Sequence, residues 1–164
     1  MTSSENLYDD FEKHVPHGDE AFMVLKAHLY MEVYLKEMIS NRVNDNDLRE
    51  KLTGERGEFR SGKSLFLIAQ ALASRDQFSP EIPWKAIEIL NNLRNSLAHN
   101  LVPNSHAITD KMKNFIEAMG QTLGGSLNIN RLFRLCAWLL IEQIKREVIP
   151  TTEEDFAPFP DRIA

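Results

Sequence analysis

The chain has 164 residues, 43% of them hydrophobic and 26% charged, and a formal net charge of −5. That length fits one domain able to bury a full core without disulfide or metal support, and no apolar run reaches the ~18 residues of a membrane span. The acidic balance excludes a protein that coats nucleic acid by bulk attraction. The single cysteine, Cys136, excludes an intramolecular disulfide.

The start, MTSSENLYDDFEK, is acidic and polar; it is neither a secretory signal nor an Arg-rich transit peptide, so a cytoplasmic protein is expected. The first strong helical period runs from about Asp19 to Ser40. Phe22, Leu25, Leu29 and Val33 fall on one face and Met23, Ala27, Tyr30 and Tyr34 on another, which predicts a central helix buried from two sides. A short polar helix is expected around Asn46–Leu52. The cations Arg49, Lys51, Arg56, Arg60 and Lys63, interleaved with Glu50, Glu55 and Glu58, read as a solvated loop and helix start. Ser61 or Gly62 then opens a helix through Leu65, Phe66, Ile68, Ala69, Leu72 and Ala73.

Pro83 suits a helical first turn, where its missing N–H costs little. It precedes a helix over Trp84–His99, stopped by Asn100 and Pro103. A further helix is predicted over about Thr109–Leu123, with Met112, Phe115, Ile116 and Met119 inward and Gly124-Gly125 as its end. The last helix covers Asn128–Val148. No β-branched run of period two and no Asn-Gly or Asp-Gly hairpin signal occurs. The expected fold is all-α, an antiparallel helical bundle formed by one domain over residues 1–149. Residues 150–164 form an irregular acidic tail whose Phe156 and Phe159 are able to dock on the body.

Gly57-Glu58-Phe59-Arg60-Ser61-Gly62-Lys63-Ser64 spells the phosphate-loop pattern G-x-x-x-x-G-K-[ST]. That loop needs a buried β-strand to deliver it, and the polar stretch Asn44–Arg56 is no such strand. A chance spelling over a helix start is the better account, with Phe59 packing in the core and Lys63 in solvent.

The stretch Arg94-Asn95-Ser96-Leu97-Ala98-His99 carries more. At about 100° per residue, Ile87, Leu90, Ala98 and Leu101 fall within about 40° of Arg94, and Leu97 about 60° away. The guanidinium therefore leaves from the middle of the apolar stripe. A charge there is costly unless it is paired, or unless that surface meets something other than the domain's own core. Glu88, Asn91, Asn92, Asn95 and His99 gather on the adjacent flank, with Asn91, Asn95 and His99 in a row four apart. Each has a plain structural account: Arg94 paired with Glu32, Asn95 bonding a loop carbonyl, His99 capping the last carbonyls.

Taken together, LNNLRNSLAHN is similar to the motif of the HEPN superfamily (higher eukaryotes and prokaryotes nucleotide-binding): an Arg, then a polar residue that is often Asn, then a His four to six positions after the Arg. The layout also resembles that family over residues 19–148, with a long apolar helix, a second helix (FRSGKSLFLIAQALA) and then the motif helix. Mannitol-operon-repressor-like proteins look like a neighbouring branch.

The resemblance implies a homodimer that joins two motif-bearing helices in a cleft. It also implies metal-independent cleavage of RNA to a 2′,3′-cyclic phosphate, without cofactor or metal. In that chemistry His99 moves protons near neutral pH, Arg94 holds the charge on the phosphorane, and Asn95 orients the phosphate or the imidazole. Many family members are toxins or phage-defence effectors, which implies an antitoxin or regulatory protein as partner. The alternative is a non-catalytic HEPN-like regulator or protein-interaction module, with Arg94 a structural or interface ion and His99 a cap. No metal-ligand spacing occurs: His14 and His17 lie near the N-terminus and His28 sits within an apolar helix.

Overall fold

The computed structural model describes residues 9, 11–57, 62–73, 81–99, 105–122 and 128–148, and among these every regular element is a helix. Helix α1 (Glu20–Arg42) is the axis. The carboxylate of Asp19 accepts the Phe22 N–H at 2.6 Å and so caps the helix. Glu20 in the first turn and Arg42 in the last suit its dipole. Met23, Val24, Ala27, Met31, Leu35, Met38 and Ile39 are buried along its length.

Helix α2 (Asn46–Thr53), capped by Asp45 through the Leu48 N–H at 2.8 Å, buries none of its residues. Helices α3 (Gly62–Leu72), α4 (Trp84–His99), α5 (Ser105–Ala118) and α6 (Ile129–Val148) complete the bundle. Both α3 and α4 pack on α1, α5 bridges α4 and α6, and α6 lies along α1. No helix among the described residues is long and apolar enough to cross a membrane.

The bundle is all-helical as expected, but α1 and α6 depart from the expected antiparallel arrangement and run in the same direction. Arg134, early in α6, donates to the carbonyl of Val15, just before α1. At the other ends, Asn41 donates to the Val148 carbonyl at 3.0 Å, and Arg42 pairs with the buried Glu147 carboxylate at 2.7 Å. Parallel neighbours need a long crossover, and α2–α5 supply it.

The N-terminal approach to α1 is part of the body. Val15 and His14 are buried; the His14 imidazole bonds the Tyr34 hydroxyl at 2.9 Å and lies 4.5 Å from the Tyr30 ring centre. Arg134, 3% exposed, ion-pairs with Glu12, and its guanidinium lies over the Phe11 ring at 4.8 Å. A buried cation satisfied on several sides fixes this segment.

Two further expectations are corrected. Helix α5 begins and ends about one turn earlier than Thr109–Leu123. Gly120, at φ 77°, ends it in a Schellman arrangement, with Gln121 N–H donating to the Ile116 carbonyl and Gly120 N–H to that of Glu117. Only a residue that tolerates left-handed backbone holds that position, so the stop comes before Gly124-Gly125, which lie outside the described residues. Of the two apolar faces expected to be buried on helix α1, one is exposed. Its stripe of Phe22, Leu25, Leu29 and Val33 faces outward, with Leu29 52% exposed, because α3, α4 and α6 all pack on the remainder of its circumference. The tail 150–164 and Phe59 also lie outside the described residues.

Leu29→Ser is expected to change stability by less than about 0.5 kcal/mol, whereas Met31→Ala, two residues on, costs about 2–5 kcal/mol; urea unfolding measures both. Burial pushes the Cys136 thiol up to about 11, so it should resist a thiol reagent in the native protein and react at the rate of unfolding. Prompt labelling of folded protein would contradict this.

Candidate functional site at the end of the motif helix

Pro83 lies one residue before α4, and its carbonyl accepts the N–H groups of Ala86 and Ile87. Ile87, Leu90 and Asn91 are buried and lie within about 60° of Arg94 in projection. Arg94 and Ala98 continue the same line yet are exposed, with Leu97 half-buried beside them. The cover that α1 and α3 give to the first turns of α4 therefore ends before Arg94. Of the apolar line expected from sequence, Ile87 and Leu90 are buried, the stretch at Arg94 and Ala98 is exposed, and Leu101 lies outside the described residues.

Arg94 donates from Nη1 to Asn95 Oδ1 at 3.1 Å. The pairing with Glu32, the plain structural account of Arg94, is not made. Glu32 Oε1 instead accepts the N–H of Gly62 at 3.1 Å and lies 3.9 Å from His28 Nε2. The carboxylate sits at the N-terminus of α3, where the helix dipole and an unsatisfied N–H both favour an anion. With Glu32 so engaged, Arg94 forms no ion pair with any described residue.

The same arrangement accounts for the phosphate-loop spelling. Helix α2, not a strand, precedes it. A Cβ on Gly57 would meet the Leu52 carbonyl oxygen at 2.6 Å, so that glycine permits a close backbone approach. Gly62 holds φ 69°, and its N–H is taken by the chain's own carboxylate. Lys63 is exposed, as expected.

Behind Arg94 lies a polar cluster not foreseen from the spacing. His28 is buried, with Nε2 bonded to Asn91 Oδ1 at 3.2 Å and its ring 6.2 Å edge-on from Phe66. Because the amide oxygen only accepts, the ring donates from Nε2. Burial holds this imidazole below the ordinary histidine range, although Glu32 and the Asn91 bond pull it upward; the Arg94 charge adds to the lowering. The sequence signal was present: His28 and Glu32 are polar residues one turn apart in an apolar helix, but Asn91, the partner of His28, is sixty-three positions from it.

Of the predicted site residues, Asn95 is half-buried and His99 exposed at the helix end. The alternative role of His99, a cap on the last carbonyls, is not seen in a bond to any described residue. Arg94 and His99 are five apart, so about 140° of helix separates them, while Asn95 and His99 share a face. On the far side, the Ser96 hydroxyl donates to the Asn92 carbonyl at 2.9 Å and accepts a hydrogen bond from Lys111 of α5. Among the described residues, no three His, Cys, Asp or Glu side chains are grouped to hold a metal ion. No protein-family model, no curated protein and no solved structure matches this chain.

Because the folded His28 resists a proton that the unfolded imidazole accepts, stability should fall as pH drops below about 6.5, the ordinary histidine value. It should level off once pH passes below the depressed folded value. His28→Gln should flatten that part of a urea-unfolding profile; overlapping profiles for the two proteins would refute the assignment.

Proposed function

We propose that this chain is a HEPN-like, metal-independent endoribonuclease acting as a homodimer through the motif-bearing helix. The observation that carries the reading is Arg94, exposed and with no carboxylate partner among the described residues, on a helical line that is buried two turns earlier. A second copy supplies the missing cover, and two-fold interfaces of this kind are self-complementary. Helical geometry gives an independent reason for a dimer. Arg94 and His99 leave one helix about 140° apart, so one phosphodiester meets both groups readily only when they come from two helices facing each other.

In the proposed reaction the 2′-oxygen of the ribose attacks phosphorus and the bond from phosphorus to the 5′-oxygen breaks. The 2′-hydroxyl proton passes to a neutral His99 imidazole. The protonated imidazole of the partner's His99 gives a proton to the departing 5′-oxygen. Arg94, steadied by its bond to Asn95, holds the charge that builds on the phosphorane. The products are a 2′,3′-cyclic phosphate and a 5′-hydroxyl. A toxin or phage-defence effector, restrained by an antitoxin or regulatory protein, is the biological setting this chemistry suits.

A second reading is a non-catalytic HEPN-like regulator or protein-interaction module, akin to the mannitol-operon-repressor-like branch. The exposed stripe of Phe22, Leu25, Leu29 and Val33 favours it, since contiguous apolar surface rimmed by polar residues marks protein contacts.

Purified protein incubated with single-stranded RNA in EDTA distinguishes the two. The nuclease reading expects cleavage with cyclic phosphate ends, reduced by about 10²-fold or more in His99→Ala and similarly in Arg94→Ala, together with a dimer in sedimentation. Dimerisation lost in Arg94→Ala, with no cleavage by the wild type at any protein concentration, would establish the module instead.

A further inference from the structure

We propose that Lys111 is a second phosphate contact for RNA, placed on the opposite edge of the motif helix from Arg94. The proposal rests on the nuclease reading and names a residue that neither the motif nor its flanks contain.

Helix α5 carries Lys111 into the seam with α4, half-buried, where its ammonium donates to the Ser96 hydroxyl oxygen. Ser96 gives its hydroxyl proton to the Asn92 carbonyl and accepts from the ammonium through its oxygen, which holds the ammonium against α4. An ammonium has three donors; Ser96 takes one, which leaves two for a ligand. Among the described residues Lys111 forms no ion pair. The neighbouring carboxylate, Asp110, lies about 100° round the helix and within 3.6 Å of Lys113.

The surroundings point to an anion. In projection from Arg94, Asn95 lies at about 100°, His99 at about 140° and Ser96, with Lys111 above it, at about 200°. The exposed arc of the last two turns is thus edged by a cation on each side, with the amide and the imidazole between them. Residues 92–99 contain no acidic side chain, and Glu88, one turn earlier, is taken up by Lys85 at 2.9 Å. On a chain of net charge −5 this is a local positive strip. A helix is about 10–12 Å across with its side chains, so a strand laid over it meets both edges. Lysine is a compact point charge suited to phosphate and carries no base preference.

The test is equilibrium binding of a fluorescein-labelled, mixed-sequence single-stranded RNA in EDTA, in a His99→Ala background so that the RNA stays whole. Lys111→Gln should weaken binding roughly three- to tenfold at about 50 mM salt and reduce the slope of log affinity against log salt by about 0.7. Lys111→Arg should retain both. A structural role alone would move the melting temperature and leave the salt slope untouched. If Arg94→Ala weakens binding and Lys111→Gln leaves both affinity and slope unchanged, Lys111 is no phosphate contact and the nuclease reading stands. If the His99→Ala protein and the wild type both fail to bind the RNA at low salt, the nuclease reading fails and takes this assignment with it.

Discussion

Glu32 of α1 stands at the start of α3 beside His28, the residue through which α1 reaches the motif helix. It accepts the Gly62 N–H and lies beside His28, which gives α3 a negative charge at its positive end. A carboxylate bound to an otherwise orphaned helix N–H gains a charge-assisted hydrogen bond.

The buried polar groups divide into those that hold the fold and those that border the site. Arg134 with Glu12, and Arg42 with Glu147, tie the two ends of α6 to the N-terminal segment and to the end of α1. Each joins elements more than a hundred residues apart, and removing one partner would strand a desolvated charge. His28 and Asn91 are of the other kind. They form a neutral pair behind the motif helix, rigid because the amide oxygen and the ring each satisfy the other in a buried setting. That pair sets the position of α4 one turn before the residues proposed to meet RNA.

The acidic balance of the chain and a proposed RNA substrate are compatible because charge acts locally. Screening confines surface fields to about 8–10 Å at ordinary salt, so the composition of the last two turns of α4 and the facing edge of α5 matters more than the total. The apolar stripe on α1 is a separate surface. It lies on the side of that helix that α3, α4 and α6 leave open.

Helical periodicity by itself determined the all-α class, the extents of α3, α4 and α6 to within a residue or two, and the apolar line on which Arg94 sits. These follow from local rules: a 3.6-residue repeat, caps and proline placement act over a few positions. The same reasoning rejected the phosphate-loop spelling, since a nucleotide loop needs a strand and the stretch before it is polar. The tertiary structure alone decided which apolar face of α1 is covered, because periodicity marks a face without saying whether another helix arrives to meet it. It also decided where Glu32 points, that His28 finds Asn91, and that Lys111 reaches Ser96. Those pairings join residues 15 to 63 positions apart, and only the packing of the helices against one another brings them within bonding distance.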